Sequence, residues 1–212
     1  MRRLMIMACV VGLLLGVTST ASAKTKTLGV TLRCTQSDGL TANTCFTLGQ
    51  SADGGGKSIK LDTVDPAGTT GVAFDNWWCQ RLENVQQLKI STQDPVTAGS
   101  PRISILLSSD VTGPAGTAGC NSSNQDGHTL FLSPLYCASA NSNGWRMSNW
   151  RSDTSCTIFD ENGVGYAGWN AYTATHPNEY IWFAFVVQDG PPQPAAINYV
   201  DRIQLDSQLF TK

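Results

Sequence analysis

Charged residues are scarce in this 212-residue chain, where Asp, Glu, Lys and Arg together make up 14% of the positions. A typical soluble domain carries roughly 25%. No basic stripe is present that would neutralise a phosphate backbone or attract the chain to an anionic membrane surface. We therefore expect no nucleic-acid partner. Uncharged Ser, Thr, Asn, Gln and Gly fill most polar positions instead, which is common in exported proteins that meet neutral polymers.

The motifs of common catalytic sites are lacking as well. The chain has no Gly-x-Ser-x-Gly sequence and only two histidines, so a Ser–His–Asp triad has few candidate bases. The segment SADGGGKS at residues 51–58 lacks the leading Gly of a phosphate-binding loop and runs into a predicted strand. A glycosidase pair remains conceivable among six carboxylates, although their spacing does not indicate one: Asp75, Glu83, Asp160, Glu161, Glu179 and Asp201. The sequence favours a non-enzymatic function.

The N-terminus has the pattern of a secretory signal. Arg2 and Arg3 precede an apolar run at residues 4–17, and Ala-Ser-Ala at residues 21–23 forms a small-x-small cleavage site. We predict a signal peptide at residues 1–23 and one domain at residues 24–212. The apolar run is too short to span a bilayer comfortably, which argues against a retained anchor. The mature protein is expected to be secreted or extracytoplasmic, periplasmic in a bacterium with an outer membrane, and not inserted in a membrane.

Removal of the signal peptide changes both the charge and the cysteine count. Two of the 14 basic residues leave with it, so 12 remain against 16 acidic residues, a net charge of −4. Six cysteines remain once Cys9 has gone, and an even number in an exported chain predicts three disulfides. None of the six has Cys-x-x-Cys spacing, which argues against zinc. Among the 15 connectivities that six cysteines allow, we favour Cys34–Cys45, Cys120–Cys137 and Cys79–Cys156.

The mature chain reads as an all-β protein. Short stretches rich in β-branched and aromatic residues alternate with clusters of Gly, Asn, Ser, Asp and Pro, which is typical of a sandwich or barrel. The one plausible short helix lies at residues 76–84, where residues 76–79 could instead form a loop, and the segments 65–71 and 138–143 are expected to be loops. The predicted strands are residues 28–34, 44–48, 58–64, 85–91, 102–108, 129–132, 155–159, 179–188 and 196–205.

Period-2 alternation assigns side chains to the two faces of the long strands. At residues 179–188, Ile181, Phe183, Phe185 and Val187 are predicted on one face and Tyr180, Trp182, Ala184 and Val186 on the other. In the last strand, Asp201 is predicted on the same face as Ile197, Tyr199, Ile203 and Leu205. An ionised carboxylate in an apolar row needs an arginine, several backbone N–H donors or a hard cation such as calcium.

Three segments of the second half then resemble a known family. They are SPRISI at residues 100–105, YIWFAFVV at residues 180–187 and YVDRIQL at residues 199–205, joined by the turns Gly144-Trp145 and Gly168-Trp169. The set is similar to the jelly-roll antiparallel β-sandwich of galactose-binding-like and carbohydrate-binding modules. The resemblance implies a sugar site on an aromatic-bearing concave face or loop edge.

The resemblance also implies a structural calcium at Asp201. The N-terminal element that completes this calcium site in the family is not evident here. An arginine, for which Arg102 is the candidate, stays open as the partner of Asp201. Apart from that calcium we expect no cofactor.

Aromatic residues supply the candidate ligand site. Sugars present C–H faces that pack on exposed rings edged by polar groups. Of the six tryptophans, we expect most to be core residues and choose four aromatic side chains as ligand-binding candidates: Trp145, Trp150, Tyr180 and Trp182. The resulting prediction is a secreted, non-enzymatic module that binds a glycan or other neutral polymer through aromatic stacking and amide hydrogen bonds. The alternatives are a structural or adhesive cell-envelope protein and a glycan-acting hydrolase.

Overall fold

The computed structural model describes residues 32–36, 58–63, 69–74, 80–93, 96, 101–108, 128–138, 141–189, 196–206 and 208–210. At residues 32–36, 74, 141–142, 189, 196–197 and 208–210 it describes the backbone alone. The predicted signal peptide, the predicted strand at residues 44–48 and the cysteines Cys45, Cys79 and Cys120 lie outside the described residues. The described part consists mainly of β-strands.

The strands in chain order are β1 (Leu32–Gln36), β2 (Ile59–Thr63), β3 (Thr69–Phe74), β4 (Gln80–Arg81), β5 (Leu88–Gln93), β6 (Arg102–Ser108), β7 (Thr129–Leu132), β8 (Asn141–Ser142), β9 (Trp145–Asn149), β10 (Thr157–Asp160), β11 (Gly165–Ala167), β12 (Tyr180–Asp189), β13 (Ala196–Leu205) and β14 (Gln208–Phe210). One α-helix, α1 (Trp169–Thr175), and 3₁₀ turns at Leu82–Asn84 and Pro134–Tyr136 accompany them.

The strands form two antiparallel sheets. The eight-stranded sheet has the order β1-β3-β12-β6-β7-β10-β11, with β4 also paired to β12. The six-stranded sheet has the order β14-β13-β5-β9-β8, with β2 also paired to β13. The all-β prediction is confirmed. Among the described residues, no helix is long and apolar enough to cross a membrane.

A single hydrophobic core joins the two sheets. Ile103, Ile105 and Leu107, at alternate positions of β6, are fully buried in it, and they pack in the same cluster as Ile59 of β2 and Ile90 of β5 from the other sheet. Complete burial of such side chains stabilises the fold by roughly 1.5–3 kcal/mol each relative to exposure. This burial determines which face of each strand points inward and which points away.

A β-bulge in β12 makes our face prediction for that strand wrong. Its register against β6 shifts between Ile181 and Phe183, so Trp182 is an extra residue. An extra residue reverses the alternation beyond it. Ile181 therefore shares the core with Ala184, whereas Phe183 lies on the opposite face together with Phe185.

A second bulge, in β13, corrects the prediction for Asp201. The register against β5 shifts between Asp201 and Gln204, and Arg202 has a positive φ of 47°. Val200 and Ile203 are both in the core although they are three residues apart, so the predicted five-residue row is wrong.

The Asp201 carboxylate is buried, 2% exposed, and its Oδ1 accepts the backbone N–H of Arg202 at 2.7 Å. One of the expected kinds of partner, a backbone donor, is therefore present. The described ranges contain no group of three or more His, Cys, Asp or Glu side chains that could hold a metal ion. The calcium at Asp201 stays a prediction. Arg102 lies in the other sheet, where its guanidinium carbon is 5.2 Å from the ring centroid of Phe131.

The disulfide pattern differs from the one we favoured. Cys137 is bonded to Cys156, so the predicted pairs Cys120–Cys137 and Cys79–Cys156 are both wrong. The reason is topological: Cys137 follows the C-terminal end of β7, Cys156 precedes β10, and the two strands pair antiparallel. Antiparallel pairing brings the end of one strand beside the start of the other. Cys34 lies in β1, opposite Val72, with only its backbone described. Cys45 lies outside the described residues, so the predicted Cys34–Cys45 bond stays a prediction.

Several elements were missed by the sequence reasoning. β3 begins at Thr69, inside a segment predicted as a loop, and β9 begins at Trp145, which was read as a turn. The seven-residue helix α1 buries Trp169 and Tyr172, and the Trp169 Nε1–H donates to the Leu82 carbonyl at 3.0 Å. Where a helix was expected at residues 76–84, the described residues hold β4 and the 3₁₀ turn instead.

We predict that non-reducing peptide mapping of the oxidised protein recovers Cys137 linked to Cys156. The bond closes a loop with a sequence separation of 19, so replacing both cysteines by Ala should lower the free energy of unfolding by about 3 kcal/mol. Chemical denaturation measures this loss. Recovery of a Cys120–Cys137 peptide would contradict the structure.

Two fully buried threonines provide a matched test of core hydrogen bonding. Thr63 Oγ1 donates to the Gln188 carbonyl at 3.3 Å, whereas Thr92 Oγ1 has no hydrogen-bond partner in the described part of the chain. Thr63→Val should lose about 1 kcal/mol of unfolding free energy, and Thr92→Val should gain about 1 kcal/mol because it removes an unsatisfied buried hydroxyl. Urea denaturation of both variants checks the difference. Equal losses would contradict the assignment.

Candidate functional site

The face of the eight-stranded sheet that points away from the core carries a row of phenylalanines. Phe185 of β12 is opposite Ser104 of β6, which is opposite Phe131 of β7, which in turn is opposite Phe159 of β10. Directly paired residues of neighbouring strands project to the same side. The three rings are half-buried. The three rings, with the buried Ser104 between Phe185 and Phe131, therefore form a largely apolar row across four adjacent strands.

A cleft of about 270 Å³ opens at one end of this row, and the described residues that line it are Arg102, Phe131, Ser133, Tyr136 and Phe159. The Arg102 guanidinium lies over the Phe131 ring, within the range of a cation–π contact. The rings of Tyr136 and Phe159 meet edge to face, with centroids 4.8 Å apart and an interplanar angle of 65°. The five side chains thus supply three aromatic rings, one guanidinium group and two hydroxyl groups, one of which belongs to the Tyr136 ring.

The turn after β7 positions the exposed ring of the cleft. Ser133 is 3% exposed and its Oγ accepts the Leu135 N–H at 3.2 Å, which caps the 3₁₀ turn Pro134–Tyr136. Tyr136 is 45% exposed. The disulfide of Cys137 then ties the end of this turn to the start of β10. Both ends of the turn are anchored, so the Tyr136 ring is held in place before any ligand arrives.

A glycine makes room for the second ring of the pair. Gly165 of β11 lies opposite Phe159. A Cβ at residue 165 would come within 3.2 Å of Phe159 Cε1 and 3.1 Å of Thr157 Cγ2, closer than an ordinary carbon–carbon contact of about 3.5–4.0 Å. A side chain at residue 165 would therefore require the Phe159 ring and Thr157 to shift by a few tenths of an ångström.

The turn between β10 and β11 is fixed by a carboxylate. Asp160 Oδ1 accepts the N–H groups of Asn162 and Val164 at 2.9 and 2.8 Å. The next residue, Glu161, accepts the Thr129 N–H at 3.0 Å and is 2.9 Å from His128 Nδ1. These acidic side chains serve the backbone of the sheet rather than the cleft.

Two of the four predicted ligand-binding aromatics are buried. Trp145 is 6% and Trp150 1% exposed, so the expectation that this pair is open to solvent is wrong. Trp150 belongs to the core cluster, and its backbone N–H donates to the Leu88 carbonyl at 3.1 Å. The polar residues around these tryptophans in sequence do not indicate exposure, since Trp145 in β9 and Trp150 directly after it are both buried while Met147 between them is exposed.

Tyr180 and Trp182 are half-buried and lie on β12, two strands away from β7 in the sheet. Arg81 Nε donates to the Tyr180 hydroxyl at 2.9 Å, and its guanidinium carbon is 5.3 Å from the Tyr180 ring centroid. The Trp182 ring centroid is 6.2 Å from that of Phe183. Tyr180 and Trp182 do not line the cleft, and their part in ligand binding stays a prediction.

The cleft residues were not chosen from the sequence, although the signal for two of them was present. Phe131 lies between Leu130 and Leu132, and both leucines are fully buried. Strict alternation therefore directs Phe131 outward, and the same pattern directs Phe159 outward after buried Ile158. Polar sequence neighbours single out the tryptophans, whereas the alternation of buried and outward residues singles out these phenylalanines.

A buried hydrogen-bonded pair holds α1 to the sheet. The Tyr172 hydroxyl donates to Glu179 Oε2 at 2.7 Å, and the His176 ring stacks on Tyr172 with centroids 4.2 Å apart. Burial, and next the hydrogen bond to Glu179, raise the pKa of Tyr172 above its ordinary value. Tyr172 is 2% and Glu179 8% exposed. This buried pair is therefore a structural contact rather than a site that a ligand can reach.

The glycosidase alternative finds little support in the described residues. Asp75 lies outside them, and none of the other candidate carboxylates lines the cleft. Each has a different contact: Glu83 with Arg81, Asp160 and Glu161 with backbone N–H groups, Glu179 with Tyr172, and Asp201 with the Arg202 N–H. Among the residues that the structure describes, no pair of carboxylates faces across this cleft.

The fold and the cleft together define a class: an all-β protein of two antiparallel sheets with an aromatic cleft on the outer face of the larger sheet. Comparison of the chain with protein-family models, curated proteins and solved structures found no match.

The Tyr172–Glu179 pair predicts an alkaline weakening of the fold. The folded state holds the Tyr172 proton more tightly than the unfolded chain, so its contribution is complete below about pH 10, the ordinary pKa, and declines as pH rises above it. Tyr172→Phe should lose about 1 kcal/mol near neutral pH through the missing hydrogen bond, and its stability should fall less steeply above about pH 10. Denaturation at a series of alkaline pH values, with Tyr136→Phe as control, measures this. An unchanged slope would refute the assignment.

Proposed function

We propose that the chain is a secreted, non-enzymatic binding module for a glycan or other neutral polymer, and that the cleft beside Tyr136 is its site. The observation that carries the proposal is the anchored pair of rings, Tyr136 and Phe159, standing edge to face at the mouth of an open cleft. An aromatic face fixed in advance costs little entropy when the C–H face of a sugar packs on it.

The size and the polar groups of the cleft support a ligand unit about as large as one sugar. Its volume of about 270 Å³ is near the lower end of the roughly 300–1,000 Å³ found for small-molecule pockets. Hydrogen bonds to the sugar would come from Arg102, Ser133 and Tyr136, in place of the amide side chains that the sequence suggested. A polymer would therefore place one unit in the cleft and extend over the neighbouring phenylalanine row.

The finer description of the fold belongs to the same proposal. Successive strands repeatedly change sheet: β2 and β5 lie in the smaller sheet, while β3 and β6 lie in the larger one. Such alternation is compatible with a jelly roll. We propose that Cys34, Cys45, Cys79 and Cys120 form two further disulfides, which gives three in all. Export after loss of residues 1–23 would supply the oxidising compartment that they need.

A second candidate function is suggested by the largely apolar row itself. Phe183, Phe185 and Leu106 are half-buried on the outer face of the larger sheet, while Trp145, Trp150 and Trp169 are buried. An apolar surface with few polar groups fits a protein partner better than a sugar. This arrangement favours a structural or adhesive role at a cell envelope as the alternative to glycan binding.

The test is a glycan-array screen of the exported, oxidised protein followed by titration of any hit. Tyr136→Ala and Phe159→Ala should each weaken glycan binding about tenfold or more, because each removes a ring face worth about 1.4 kcal/mol or more. Met147→Ala is the matched control, since Met147 is 47% exposed on the other sheet. Trp182→Ala reports whether the binding surface extends to β12.

The two candidate functions predict different outcomes. Glycan binding that is lost with Tyr136→Ala and kept with Met147→Ala supports the module. Glycan binding that survives both Tyr136→Ala and Phe159→Ala would remove the cleft as its site. A protein that retains no glycan, but loses adhesion to a surface when Phe183 or Phe185 is changed to Ser, would favour the adhesive role.

A further inference from the structure

The polar side chains that line the described part of the cleft share one property: all of them donate hydrogen bonds. The Arg102 guanidinium has five N–H donors and no acceptor, and Ser133 and Tyr136 contribute hydroxyl groups. The described lining includes no Asp, Glu, Asn or Gln. The Ser133 oxygen already accepts the Leu135 N–H, so part of its accepting capacity is used. Within the described lining, donors therefore outnumber acceptors, and the side-chain acceptors are the hydroxyl oxygens of Ser133 and Tyr136.

This imbalance bears on which sugar fits. A neutral sugar offers hydroxyl groups, which can accept hydrogen bonds from a guanidinium but cannot donate to it, because a guanidinium has no acceptor. A carboxylate only accepts hydrogen bonds, and it forms its shortest and strongest ones with a guanidinium. We propose that the sugar unit in the cleft is an acidic one, a uronic acid whose carboxylate meets Arg102 while its ring packs on Tyr136 and Phe159.

The position of Arg102 supports this role. It lies on β6, which is paired on both sides, with Val187 of β12 opposite Arg102 itself and β7 along the other edge. The guanidinium carbon lies 5.2 Å from the centroid of the Phe131 ring, and this contact orients the planar guanidinium group. A planar guanidinium presents its N–H groups as a fork that matches the two oxygens of a carboxylate. Arg102 also interacts elsewhere in the chain, and five donors allow it to keep such contacts and still bind a carboxylate.

The acidic groups near the cleft do not oppose this proposal. Asp160 and Glu161 follow Phe159 directly, but both accept backbone N–H groups, and Glu161 also faces His128. Although the chain without residues 1–23 has a net charge of −4, salt screens distant charges over about 8 Å at physiological ionic strength. Of the described residues that line the cleft, Arg102 is the one that carries a charge.

The inference rests on the proposed glycan function, and a matched pair of ligands separates the two. Oligogalacturonate is titrated into the oxidised protein by calorimetry, beside the same oligomer with its carboxylates methyl-esterified. Esterification keeps the ring and removes the charge. The acid form should bind about tenfold or more tightly than the ester, as a charge-assisted pair is stronger than a neutral hydrogen bond. Added salt should narrow the difference.

Variants assign the preference to one side chain. Arg102→Gln should bring the affinity for the acid form down to that for the ester, and Arg102→Lys should keep part of the difference because it retains charge without the fork. Arg81→Gln is the matched control: Arg81 also stacks on a ring of the same sheet, that of Tyr180, but does not line the cleft. It should leave the preference intact. Thermal melts confirm that each variant is folded.

The outcomes are distinguishable. A preference for the acid form that disappears with Arg102→Gln and persists with Arg81→Gln supports the inference. Equal affinity for acid and ester, with loss of both in Tyr136→Ala, would overturn the acidic-sugar inference and leave the glycan module standing. If neither form binds and the glycan array is also empty, both proposals fail together.

Discussion

The candidate site depends on the burial of alternate side chains between the two sheets. Leu130, Leu132 and Ile158 are fully buried in the common core, and because side chains alternate along a strand, Phe131 and Phe159 must project from the opposite face. The energy that holds the fold together thus also places the rings of the cleft. A slip of one residue in β7 or β10 would exchange these rings with core leucine or isoleucine, which the core strongly opposes.

The extent to which sequence predicted the fold follows from the same alternation. Residues 102–108, 129–132 and 196–205 are strands with the expected bounds, since apolar residues and turn formers mark them clearly. The faces of β12 and β13 were wrong beyond Trp182 and Asp201, where one extra residue in each strand reverses the pattern. A bulge is a property of two paired strands, so the sequence of one strand alone does not predict it.

The disulfide and the site required the topology. Cys137 and Cys156 meet because β7 and β10 are neighbours, which spacing along the chain does not reveal. Arg102 and Tyr136 likewise meet Phe159 only through the order β6-β7-β10. For Trp145 and Trp150, polar sequence neighbours predict exposure, whereas the packing of β9 and of the residue that follows it buries both side chains. The local sequence pattern predicts to which face of a strand a side chain points. Which side chains meet in a site depends on the order of the strands in the sheet.

The central claim is that the rings of the cleft are open while the tryptophans of the core are not. Solvent paramagnetic relaxation of aromatic ring protons, measured by NMR with a soluble neutral gadolinium probe, tests it most directly. The account predicts strong enhancement for Tyr136, intermediate enhancement for Phe131 and Phe159, and almost none for Trp150 and Trp169. Protection of Tyr136 and Phe159 to the level of Trp150 would contradict it.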